Sequence, residues 1–254
     1  TAFNRVLQSR QAVVAGMSSG EEFAGTRDVW GKAFGGWANQ GDLNNVSGYS
    51  VDSGGLAFGL DRQLSPKANL GLALAYAYSS VKSNSTVAPS SVTVNSFQLG
   101  VYGDYQIEPT LQLNYQIDGA INTNSSSRDL SRFAGTAGVG ASAKGSYNSY
   151  VGHVGLGLKK FLSMGSNTRF TPELRLDYMT VQSDGYTESG GGLLDLRVSS
   201  QSYDTLYTGL DLRVDHELKN GINLMANIGA AYNALDNSVQ MTSAYQGGGA
   251  AFVT

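Results

Sequence analysis

The sequence has no cysteine, only four prolines and little charge. Without cysteine there is no disulfide framework and no thiolate-ligated zinc or iron–sulfur site. Charged residues make up 15% of the 254 positions, against roughly 25% in an average soluble domain. That leaves too little Lys and Glu to clothe an ordinary water-soluble globule of this size. A basic excess is missing too: 17 Lys+Arg against 20 Asp+Glu give a formal net charge of −3. With no surplus to neutralise phosphates, nucleic acid is excluded as a partner. No apolar run approaches the ~18 residues of a helical membrane span; the best is Leu70 to Tyr78. The first residues lack the basic segment and apolar stretch of a signal peptide. The chain is therefore expected to start as a mature protein or partway through a longer one.

What the chain does have is 33 Gly, 14 Tyr, abundant Ser, Asn, Gln and Thr, and a strict period of two. In Leu70-Gly71-Leu72-Ala73-Leu74-Ala75-Tyr76-Ala77-Tyr78 every even position is large and apolar and every odd one is Gly or Ala. From Leu111 to Asn122, Leu111, Leu113, Tyr115, Ile117 and Ile121 oppose Gln112, Asn114, Gln116, Asp118 and Asn122. Alternation of this kind marks a strand with one greasy and one wet face. The pattern returns around 97–107, 170–178, 206–215 and 222–232, with weaker runs near 28–38, 50–62 and 147–162. The sum is about nine strands, each longer than the usual 5–6 residues.

Alternating strands fit a soluble sandwich with the greasy face inward or a membrane barrel with that face in lipid. The wet face here carries Gly, Asn, Gln, Ala and a few Asp–Arg alternations, which suits a crowded polar lumen. Phe97, Tyr105, Tyr178, Tyr232, Tyr76 and Tyr78 fall at strand ends, where an interfacial aromatic girdle belongs. The expected fold is therefore an all-β, antiparallel, up-and-down transmembrane barrel in the bacterial outer membrane, with the lipid bilayer as its surroundings.

The connections alternate between short (65–69, 108–110, 163–167, 219–221) and long (39–49, 79–91, 123–146, 182–202 and after 233). Short turns belong to the periplasm and long loops to the cell exterior, so the first strand runs outward. The Ser/Asn/Gly-rich stretch 122–146 reads as a mobile extracellular loop. An antiparallel barrel needs an even strand count. With nine, C-terminal strands are expected to be missing or to come from another chain.

Residues 1–20 carry Phe3, Val6, Leu7, Val14 and Met17 near helical spacing, with Arg5, Gln8, Arg10 and Gln11 between them and Gly20 as a stop. About 20 residues at 1.5 Å each reach roughly 30 Å, the thickness of the hydrocarbon core. Residues 1–27 are thus expected to form a pore-spanning helix and linker, and 28–254 the barrel. The alternative for the helix is a periplasmic segment or leader that never enters the pore.

The helix followed by Val29-Trp30-Gly31-Lys32-Ala33-Phe34-Gly35-Gly36-Trp37, the strand Gly54-Gly55-Leu56-Ala57-Phe58-Gly59-Leu60-Asp61, the run Leu70 to Tyr76, and the late stretches Ala226 to Tyr232 and Ala250-Ala251-Phe252 together resemble the β-domain of monomeric autotransporters (type Va secretion). The resemblance implies a twelve-stranded barrel with a helix in its lumen, about three strands beyond those visible here. It also implies secretion of an N-terminal passenger, help from the outer-membrane barrel-insertion machinery, and a monomer. Some relatives cut their passenger free at an Asn–Asn bond in the helix. This helix has only Asn4, and the pair Asn44-Asn45 lies in a loop.

On the lumen face, Glu173-Arg175-Asp177 and Asp211-Arg213-Asp215 are expected to form a cross-strand charge network that stiffens the wall. A sharper expectation is that surplus carboxylates, including Asp104 and Asp118, hold Arg5 or Arg10 of the helix and so plug the pore. His153 and His216 are the only histidines. Neither has a metal-ligand companion at suitable spacing, and no nucleophile-elbow or phosphate-loop pattern occurs. No catalytic residue, metal or cofactor is expected. The rival readings are a passive porin-like channel and a barrel enzyme or adhesin acting through its loops.

Overall fold

The computed structural model describes residues 2–14, 27–42, 47–218, 222–235 and 241–253. Met17, Gly20, the Asn44-Asn45 pair and the turn at 219–221 lie outside them, as does the side chain of Val14.

Helix α1 (Ala2–Val14) comes first, followed by β1 (Arg27–Gln40), β2 (Tyr49–Ser65), β3 (Ala68–Ser83), β4 (Ser90–Glu108), β5 (Leu111–Asp129), β6 (Ser142–Lys160), β7 (Leu162–Met164) and β8 (Thr168–Ser183). Then come β9 (Tyr186–Thr187), β10 (Leu196–Val198), β11 (Gln201–Glu217), β12 (Asn223–Asn233), β13 (Thr242–Tyr245) and β14 (Phe252–Val253). The main sheet runs β1-β2-β3-β4-β5-β6-β8-β11-β12, with the short β7 on β8. Every neighbour along that path is antiparallel and next in sequence order among the long strands. This is the up-and-down all-β architecture that the alternation predicts. β1 and β12 are the two ends of the path, so the described sheet is open.

The period of two becomes two faces. On β3, Leu72, Leu74, Tyr76 and Tyr78 are exposed on the outer face, while Ala73, Ala75 and Ala77 are buried on the inner one. Large apolar side chains pointing away from the protein have no favourable place in water, and hydrocarbon accepts them. On that outer face Tyr76 and Phe97 pack with ring centroids 5.1 Å apart, and the Tyr76 hydroxyl donates to Asn95 Oδ1 at 2.7 Å. An amphipathic ring with a bonded hydroxyl suits the level where lipid tails meet headgroups.

The stretch 122–146 differs from the mobile loop expected. β5 continues to Asp129 and β6 begins at Ser142, in unbroken register from Leu111↔Lys160 to Asp129↔Ser142. Asn124 is buried there, its side-chain amide donating to Tyr147 O at 3.2 Å and to Ser149 Oγ at 3.0 Å. Pairing with an existing strand outweighs the low strand propensity of Ser and Asn. β3, β4, β8 and β11 likewise extend into 79–91 and 182–202. At 19 residues, β4, β5 and β6 are nearly twice the 9–11 needed to cross a bilayer.

At the long-connection end stands a second sheet, β14-β13-β10-β9. The segment between β9 and β10 bridges to β6 at Lys144↔Ser189 and to the β5–β6 connection at Val139↔Gly192.

Candidate functional site: the lumen and its helix

α1 lies on the inner face of the sheet. Phe3 and Leu7 are fully buried and Val6 nearly so, in one cluster with Trp30, Ala57, Ala73, Ala75 and Tyr102, and with Phe34 packed against it. The wall is shaped for this contact by what it omits. A Cβ on Gly100 would sit 3.0 Å from Leu7 Cδ1 and 3.1 Å from Phe3 Cε1. Gly59 gives way to the Trp30 indole and Gly71 to the Tyr102 ring, each leaving under 3 Å for a Cβ. Small residues opposite large ones allow native packing density without strain.

The last described turns of the helix are held by polar groups. Arg10 Nε donates to Asp61 Oδ2 at 2.5 Å, both side chains buried. The Tyr102 hydroxyl also donates to Asp61, and Trp30 Nε1 donates to the Tyr102 hydroxyl at 2.8 Å. Gln11 Nε2 donates to Gly103 O at 2.9 Å and Tyr115 O at 3.0 Å, and Lys32 Nζ donates to Ser9 Oγ at 2.7 Å. A buried ion pair whose carboxylate takes a further hydrogen bond has its desolvation offset. These contacts also orient the helix. Phe3 and Leu7 meet Gly100, in mid-strand, while Arg10 and Gln11 meet Asp61 and Gly103, closer to the short turns after Ser65 and Glu108. The helix N-terminus therefore points toward the long connections. Its 13 described residues span about 20 Å at 1.5 Å per residue.

The opposite wall is charged. On β8, Arg175 Nε donates to Asp177 Oδ2 at 2.7 Å and Arg175 Nη1 lies 3.8 Å from Glu173 Oε1. On β11, Arg213 Nη2 donates to Asp215 Oδ1 at 2.7 Å. The cross-strand expectation needs correcting here, because these pairs form mainly within a strand, two residues apart. The register explains it: Arg213 stands opposite Thr171, Arg175 opposite Gly209, and the like charges Asp211 and Glu173 opposite each other. Cross-strand links come instead from β6, where Lys159 Nζ lies 3.6 Å from Glu173 Oε2. Between this wall and the helix is a cavity of about 270 Å³ whose lining includes Arg5, Gln8, Lys159, Glu173, Asp211 and Arg213.

The sharper expectation also takes a different form. The carboxylate that receives Arg10 is Asp61, a residue the alternation places on the inner face but does not single out. Arg5 is exposed to the cavity. Asp104 accepts from Asn69 Nδ2 at 3.0 Å. Asp118 accepts from Gln116 Nε2 at 2.7 Å and lies 2.6 Å from His153 Nδ1, while His153 Nε2 lies 3.0 Å from Asp177 Oδ1.

Sequence reasoning finds no partner for His153, yet the structure sets it between two carboxylates from different strands. Alternation places residues 118, 153 and 177 on one face, but the register that makes them neighbours (Asp118↔His153, Gly155↔Asp177) cannot be read from spacing. Among the described residues no group of three or more His, Asp and Glu is arranged to hold a metal ion.

Residues 29–254 match the family profile described as autotransporter beta-domain. Outer membrane protein A of Rickettsia rickettsii is 31% identical over 215 residues, which is 81% of this chain and 9% of that protein. Outer membrane protein B of Rickettsia prowazekii is 22% identical over 189 residues, 74% of this chain and 12% of that protein. The chain thus spans about a tenth of the length of the curated relatives it matches. Among solved structures, the translocator domain of autotransporter NalP from Neisseria meningitidis aligns with a TM-score of 0.72 at 17% identity, over 97% of this chain and 86% of that one. At that identity the likeness is one of fold.

Proposed function

The chain belongs to the autotransporter β-domain family, and from that premise we propose that it carries an N-terminal passenger across the bacterial outer membrane and keeps α1 seated in the lumen as a plug. The family is a secretion barrel of that membrane, not itself a catalyst. The observation that supports the reading is the direction of α1: its C-terminal turns meet the short-turn half of the lumen, and its N-terminus points toward the long connections. A segment preceding the helix would then lead to the cell surface.

The proposal extends to organisation. Residues 1–27 act as pore helix and linker and 28–254 as the barrel. Further C-terminal strands pair with the edges of β1 and β12 to close it, to twelve in all. A wall with all its strands from one chain needs no second copy, so the closed barrel acts as a monomer, delivered by the barrel-assembly machinery. Arg5 and the ladder Glu173, Arg175, Asp177, Asp211, Arg213 and Asp215 line the side of the lumen that the helix leaves open, while Asp104 and Asp118 brace the wall. Catalysis has no part in this reading.

An epitope placed directly before α1 in the full-length protein tests it. Antibody added to intact cells should bind the epitope once the barrel has become heat-modifiable on gels. An epitope confined to the periplasm in cells with a folded barrel would contradict export and leave a passive channel.

A further inference from the structure

We propose that the small sheet at the long-connection end is an outer gate of the lumen, distinct from the helix and latched by Arg128 and Glu188. The inference rests on the orientation in the translocator reading. Along β5 the inner face carries the even positions and along β6 the odd ones, and the unbroken register carries that parity to the ends of both strands. Arg128, Ala143, Gly145 and Tyr147 therefore stand on the lumen side of the β5–β6 extension.

The gate packs on that side. The Tyr186 ring stacks on Tyr147 with centroids 4.6 Å apart and planes 9° from parallel. Gly145 has no side chain where Tyr186 lies: a Cβ there would be 2.6 Å from the ring. Arg128 Nη2 donates to Glu188 Oε2 at 2.5 Å and to Leu194 O at 2.7 Å. The same Glu188 oxygen accepts from Leu196 N at 2.9 Å. Leu130 and Ala143 are buried against Gly191, and Val198 of β10 is buried as well.

This is a folded element packed on the β5–β6 extension and held by a largely buried, two-pronged ion pair, and in this reading it leans inward over the mouth. β10 pairs with β13, and Gln246 Nε2 donates to Glu188 O at 3.0 Å, so 184–200 and 241–253 move as one piece. α1 sits deeper, toward the short turns, and rests on the wall from β1 to β5. A passenger leaving the lumen must displace the gate. The Arg128–Glu188 contact is the strongest link that has to break, because charge-assisted, two-pronged bonds are the stronger kind.

These 254 residues contain no cysteine, so each thiol introduced here is the sole one in this region, any cysteine elsewhere in the full-length protein being replaced by serine. In the full-length protein on intact cells, a membrane-impermeant maleimide is added from outside to single-cysteine variants. Ala137→Cys, exposed in the connection between β5 and β6, should label quickly. Ser149→Cys, buried beneath Tyr147, should label about tenfold more slowly or less, since access requires local opening. Adding Glu188→Ala should bring the Ser149→Cys rate up to that of Ala137→Cys, and Arg128→Lys should give an intermediate rate in case Glu188→Ala does not fold. Deleting residues 2–14 should leave the Ser149→Cys thiol protected. Fast labelling of Ser149→Cys with the gate intact, or slow labelling in a folded, heat-modifiable Arg128→Lys barrel, would overturn the gate. If neither thiol reacts from outside but both react from the periplasm, the orientation fails, and with it the translocator reading.

Discussion

Along β1 to β4 the inner face is built from Trp30, Phe34, Ala57, Ala73, Ala75 and Tyr102, and α1 rests on it. Along β6, β8 and β11 the inner face carries Lys159, Glu173, Arg175, Asp211 and Arg213, and a cavity lies in front of it. Both walls obey the same alternation and both hide their inner face from lipid. They differ in what replaces water. The first wall exchanges it for a helix, through apolar contact plus one buried ion pair. The second retains charged side chains, paired mainly within each strand. A plug held on one side by packing and facing charge on the other can be seated firmly without filling the pore. This asymmetry is what a channel needs if it must be closed at rest and passable in use.

Perturbing the two walls separately should expose that division. The largest effect is expected from Leu7→Ala, which empties a fully buried site at the helix seat and should cost about 3 kcal/mol. Amide hydrogen exchange of α1 should then lose about two decades of protection while the strands keep theirs. Gly100→Leu fills the same seat from the wall side, and overpacking of about 1–3 kcal/mol should unseat the helix and raise single-channel conductance severalfold. Tyr102→Phe removes one hydroxyl between Trp30 and Asp61. It should cost about 1 kcal/mol and lower the protection of α1 by less than a decade. Arg213→Ala acts on the other wall, on a partly exposed pair within one strand. It should change stability by under about 1 kcal/mol and leave α1 exchange as it was.

The legible part of this molecule is whatever follows from local periodicity. Leu70 to Tyr78 alone separates the lipid face from the lumen face, and the spacing of Phe3, Val6 and Leu7 marks a helix before β1 is reached. Asp61 and His153 show where legibility stops. Their inward direction follows from parity, but their partners, Arg10 and the pair Asp118 and Asp177, are set by register and by the placing of the helix, which depend on turns and distant packing. The stretch 122–146 fails for another reason. Its Ser, Asn and Gly composition is that of a loop, and pairing with each other makes 122–129 and 142–146 sheet, leaving 130–141 as the connection. The ladder on β8 and β11 lies between these cases: its inward face was readable, and its pairing within each strand was not.

The central claim is that Asp61 on the β1–β4 wall, and not the ladder on β8 and β11, holds the helix in the pore. A charge-swap cycle in the complete refolded barrel tests it most directly, read as single-channel conductance in planar bilayers. Arg10→Asp and Asp61→Arg should each raise conductance severalfold, because each leaves like charges facing each other in a buried site. The double variant should return most of the way to the closed value, and Asp211→Asn should stay closed throughout. A double variant as open as either single one, or an Asp211→Asn barrel that opens while Asp61→Arg stays shut, would contradict the account.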